Sequence, residues 1–91
     1  MSDPHGTEEV IQIAEEFERF LQWKAGLYLV QRCEDEIEEG MQLLKDADPN
    51  KPDLIRTYQN QIWRAESLLS WIQQAMDVGK AVAQNLDQPE E

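Results

Sequence analysis

Along residues 53–86, apolar side chains recur at alternating intervals of three and four: Ile55, Tyr58, Ile62, Ala65, Leu69, Ile72, Met76, Gly79, Ala83 and Leu86. That spacing keeps them on one side of an α-helix and predicts a long helix with a coiled-coil-like seam. Such a seam calls for a second helix to cover it. In the C-terminal half a further row, Leu68, Trp71, Ala75, Val78 and Val82, repeats the spacing on a neighbouring face, so one partner helix is not expected to cover everything.

The first half of the chain carries two stripes. Val10, Ile13, Phe17, Phe20 and Leu27 follow the helical rhythm, with Ala14, Leu21 and Tyr28 beside them. Thr7 suits an N-cap, and Glu8 and Glu9 would then sit against the positive end of the helix dipole. Val30, Cys33, Ile37, Met41 and Leu44 form the second stripe, slipped by one residue, a rotation of about 100 degrees. The slip falls just after Gly26. A single helix over residues 7–45, bent or locally rewound near Gly26, is preferred to two helices separated by a turn. The ground is that residues 27–30 offer neither a capping residue nor a polar linker.

Residues 46–53, DADPNKPD, hold two prolines whose preceding residues are pushed away from helical geometry. The expected layout is a tail at 1–6, a helix at 7–45, a loop at 46–52, a helix at 53–86 and an acidic tail at 87–91. Gly79, on the seam, either admits a close neighbour or marks an early helix end. Two helices of about 58 and 51 Å joined by a short loop predict an all-α, antiparallel helical hairpin forming one domain. The uncovered row further predicts that the hairpin dimerises into a four-helix bundle or pairs with another helical protein, with a compact three-helix bundle as the alternative architecture. The plain alternative for the row itself is a single wide core stripe.

Charge narrows the choice of partner. Nineteen acidic residues against eight basic ones give a net charge of −11, concentrated in the first 45 residues. This disfavours nucleic acid and anionic membrane surfaces and favours cationic partners. The apolar runs are too short to cross a bilayer and the N-terminus lacks the pattern of a signal peptide, so a cytoplasmic protein is expected. With 91 residues and one cysteine, the fold has a thin stability margin and no internal disulfide.

Candidate chemistry is sparse. Cys33 lies within an apolar stripe beside carboxylates that would raise its pKa, and the sole histidine, His5, is in the tail, so Cys33 reads as a small buried hydrophobe. In the run EDEIEE, Glu34 pairs with Glu38 and Asp35 with Glu39 at four-residue spacing. A metal site there would need ligands from the second helix, which beyond its first residue offers only Glu66 and Asp77, eleven apart, so a solvated acidic face is the reading. Trp63 falls outside the seam and Trp23 toward the polar side of its stripe; each is an interface anchor or peripheral packing.

The sequence thus points to a non-enzymatic protein–protein interaction module, an adaptor, assembly factor, small chaperone or regulatory subunit. It would act through Leu68, Trp71, Val78 and Trp63 inside an acidic rim, with a second copy or another helical or basic protein as partner. The alternative is an acidic inhibitor that mimics DNA, presenting Glu34, Asp35, Glu38 and Glu39 to a basic surface. No cofactor, metal or catalytic set is assigned.

Overall fold

The computed structural model describes residues 6–87, which form three helices and no strand: α1, Thr7–Phe20; α2, Lys24–Lys45; and α3, Pro52–Asp87. Of the two expected tails, only Gly6 and Asp87 fall within the described residues, and Asp87 is the last residue of α3. The all-α expectation is met.

The single bent helix over residues 7–45 is not what forms. The α-helical ladder ends with the Leu21 N–H on the Phe17 carbonyl, 2.9 Å. The next two amides step back only three residues, Gln22 to the Arg19 carbonyl and Trp23 to the Phe20 carbonyl, both 3.0 Å. The α-type spacing resumes where the Leu27 N–H meets the Trp23 carbonyl at 2.9 Å. This corner satisfies its own backbone groups with tighter bonds, so it needs no polar linker. It also precedes Gly26, whereas the absent cap was sought after it. Gly26 is buried, and a methyl group there would run into the Phe20 carbonyl and the Leu21 Cα. Beyond the corner the first stripe loses its rhythm, and Leu27 and Tyr28 are exposed.

Nor does Thr7 cap α1. Gly6 holds that position in extended geometry (φ −62°, ψ 169°), with no side-chain cap bond, and its carbonyl accepts from the Val10 N–H at 3.1 Å. The α3 start follows its prolines closely. Asp48 accepts through Oδ1 from the Asn50 N–H and through its carbonyl from the Lys51 N–H, both 2.9 Å, and Pro52 opens the helix. Proline lacks only an N–H that a first turn leaves unpaired.

The helices fall into two compact units, and α3 runs continuously through both. In the unit Tyr28–Ser70, α2 lies against the first half of α3. Contact is close because small residues stand at it: Cys33, Gly40 and Ala65 are buried, and a methyl group on Gly40 would lie 2.6 Å from Ile62 Cγ1. The Gln61 amide crosses between the helices, donating to the Glu36 carbonyl at 3.1 Å and to Glu39 Oε1 at 3.0 Å.

The other unit joins the residues through Leu27 to those from Trp71 onward, and there α1 packs against the second half of α3. Ala14, Ile72, Met76 and Gly79 are its buried residues on these two helices. Gly79 does not end α3; it receives α1, since a methyl group at Gly79 would strike the Ala14 Cβ and lie 3.0 Å from the Val10 carbonyl oxygen. The predicted seam is the buried side of α3: Ala65, Ile72, Met76 and Gly79 all belong to it, and Leu86 at its end is exposed. Ile72 and Met76 are the large members of the core, each worth about 1.5–3 kcal/mol on burial, so the margin of stability rests on few contacts.

Candidate interaction surface

The second apolar row of α3 is only partly covered. Leu68, Ala75 and Val82 are half-buried, whereas Trp71 and Val78 are 61% and 52% exposed. Trp71 and Val78 stand seven residues apart, two helical turns on one face. Within the same unit, α1 brings Val10 and Ile13 beside them, and with Gln74 and Ala75 they line an open, largely apolar depression of about 350 Å³.

The reason α1 presents this edge lies in which residue faces α3. Ala14 meets Gly79, so the line of closest approach runs through the smallest side chains of both helices. Ile13, about 100 degrees from Ala14 around the helix, is thereby turned to the rim and is 37% exposed. The helical rhythm puts Ile13 in the core stripe, whereas the packing leaves it at the rim. The signal that could have relocated it was the matched pair of small residues, Ala14 and Gly79.

The opposite edge of this helix pair is different in character. There a depression of about 270 Å³ is lined by Glu15, Glu18 and Lys80 as well as Ile11, Gly79 and Ala83. The Lys80 Nζ lies 3.1 Å from a Glu18 carboxylate oxygen, in a pair exposed enough to contribute little stability. One edge is therefore apolar and open, and the other charged and internally paired.

The remaining predicted residues lie elsewhere. Trp63 belongs to the unit Tyr28–Ser70 and is 62% exposed. Trp23 sits at the corner, 59% exposed, with its ring edge-on to Phe20 at 6.5 Å. Glu34, Asp35, Glu38 and Glu39 are all exposed on α2. Two of the four are engaged within the chain, Asp35 accepting from Gln31 Nε2 and Glu39 from Gln61 Nε2, each at 3.0 Å. Among the described residues no group of three or more His, Cys, Asp or Glu side chains is placed to hold a metal ion, and no helix is long and apolar enough to cross a membrane.

Cys33 is a buried free thiol. Desolvation by burial, then the nearby charges of Glu36 and Glu34, push its pKa above the ordinary thiol value. A thiol-specific disulfide reagent at pH 8 is therefore expected to modify the folded chain at least about tenfold more slowly than the denatured chain. The same shift has a sign for stability. Above roughly pH 8.5 the unfolded thiol loses its proton before the folded one, so stability falls as pH rises further. Comparing urea midpoints of the native chain and Cys33→Ala between pH 7 and 10 isolates this fall; parallel curves would refute it.

Comparison with protein-family models, with curated proteins and with solved structures gave no match.

Proposed function

We propose that the chain is a non-enzymatic protein–protein interaction module that works through the apolar edge formed by α1 and the second half of α3. One observation carries this reading. Trp71, Val78 and Ile13 stand exposed together around a depression, in a protein with few large buried side chains to spare. Leaving such residues in water forgoes stabilisation that burial would supply, and a clustered apolar patch of this kind marks a contact surface. Cover could come from a second copy, giving the four-helix arrangement expected above, or from another helical protein. The acidic-inhibitor reading has the exposed Glu34, Asp35, Glu38 and Glu39 in its favour, but the bonds from Gln31 and Gln61 leave that face less free to remodel on a partner.

The test is whether Trp71 belongs to the core or to a contact. Trp71→Ala is expected to change unfolding free energy by less than about 1 kcal/mol while weakening association with whatever covers the patch about tenfold or more. Urea unfolding measures the first quantity, and solution mass across a concentration series, alone and with candidate partners, measures the second. A stability loss of about 3 kcal/mol or more, the range for truncating a core tryptophan, would overturn the reading.

A further inference from the structure

We propose that the depression lined by Val10, Ile13, Trp71, Ala75 and Val78 takes the apolar face of a cationic amphipathic helix from a protein partner. This rests on the interaction reading above and goes further by naming the occupant. The shape argues for a helix. The depression lies between two helices, and Trp71 and Val78 mark two successive turns along one wall, the spacing at which a third helix sets its own i, i+3, i+4 and i+7 side chains. Its lining is free of charge, so the part of the partner that enters is apolar.

Charge decides between a second copy and a foreign helix. Glu9 and Glu16 stand four residues before and three after Ile13, which places both on Ile13's side of α1, and both are exposed. Neither lines the depression, whose one polar lining residue, Gln74, is uncharged; both lie on α1 just beyond Ile13, outside the apolar lining. A twofold dimer through this face would set the patch against itself and bring Glu9 and Glu16 of both copies to one rim, between chains that each carry −11. A helix whose apolar stripe is flanked by lysine or arginine fills the same space and meets those carboxylates with opposite charge. An anionic lipid surface fails for the same reason as a second copy.

The probe is a fluorescent synthetic helix of leucine and lysine, about 18 residues long, with leucines at intervals of three and four. Binding is followed by anisotropy, and each variant's fold is checked by its circular dichroism melt. Saturable binding is expected. Val78→Asp should weaken it about tenfold or more, although that substitution makes the chain more negative, and Trp71→Ala should weaken it comparably. Glu9→Gln with Glu16→Gln should weaken it about threefold at low salt and hardly at all at high salt. Met41→Asp, which adds the same charge at an exposed apolar residue of α2, should not weaken it.

If Val78→Asp and Met41→Asp both tighten binding, or both leave it unchanged, attraction is by bulk charge and the proposal falls. If a leucine and glutamate helix of the same pattern binds as well, the depression takes helices without regard to charge; the cationic occupant is then wrong while the interaction reading survives. The same split follows if sedimentation shows a dimer that Val78→Asp makes monomeric. Absence of both peptide binding and dimer, together with a large loss of stability in Trp71→Ala, defeats both.

Discussion

Gly79→Leu is expected to lower the melting temperature by about 12 °C or more. The first atom beyond a glycine Cα at this position already has nowhere to go: it meets the Ala14 Cβ, and the Val10 carbonyl oxygen lies 3.0 Å away. Neither neighbour is the far end of a flexible side chain. Ala14 has no rotamer to change, and the Val10 carbonyl belongs to the α1 backbone. The larger side chain must therefore push α1 off α3, exposing Ile72 and Met76, the two large residues of the core. Overpacking of this kind costs about 3 kcal/mol, and in a chain of 91 residues each kcal/mol shifts the midpoint by roughly 4–8 °C. Gly79→Ala tests the same contact more gently. Helix propensity alone would make alanine more stable by about 1 kcal/mol, so a net loss isolates the clash. Adding Ala14→Gly should recover part of that loss, giving a coupling of at least about 0.5 kcal/mol in a double-mutant cycle. Strict additivity of the two substitutions, or a Gly79→Leu midpoint within about 3 °C of the native chain, would remove the contact from the account.

The seam of α3 was readable because Ile72 and Met76 are large, apolar and regularly spaced with small seam residues that need no separate signal. Hydrophobic rhythm reports where big side chains point. It says much less about Ala14, Gly26, Gly40 and Gly79, yet these decide how closely the helices approach and which face of each is innermost. For that reason Trp71 and Val78 were recognisable as an unmatched row, while their neighbours Val10 and Ile13 were assigned to the core. The centre of the α1 contact is Ala14, whose weak signal was read as a mere widening of the stripe. Four carboxylates of the acidic run, Glu34, Asp35, Glu38 and Glu39, are exposed while Glu36 is half-buried, and the bond from Gln61 to Glu39 depends on which turn of α3 faces α2.

The slip of the stripe marks a break near Gly26, but not its form, a corner at residues 21–23 in place of the preferred bent helix, and Gly26→Ala tests why. A helix usually announces its end through a cap, a proline or a glycine just past its last turn. Here the residues of the corner itself, Leu21, Gln22 and Trp23, carry no such mark, and their amides are satisfied by stepping back three residues instead of four. What selects the corner is the space at Gly26, three residues further on, where the chain passes so close to the Phe20 carbonyl and the Leu21 Cα that no side chain fits. All of these are backbone atoms, so relief requires the corner to open. Gly26→Ala is accordingly expected to destabilise the chain by about 2 kcal/mol or more, against the roughly 1 kcal/mol gain that alanine brings to an unobstructed helical position. The loss should also be local. As the corner opens toward a continuous helix, α1 is drawn away from α3, so hydrogen exchange should quicken in Thr7–Phe20 and in α3 beyond Trp71 before it does in the remainder of the chain. A rise in melting temperature for Gly26→Ala would show that propensity governs this position and that the corner is held by something other than the missing side chain.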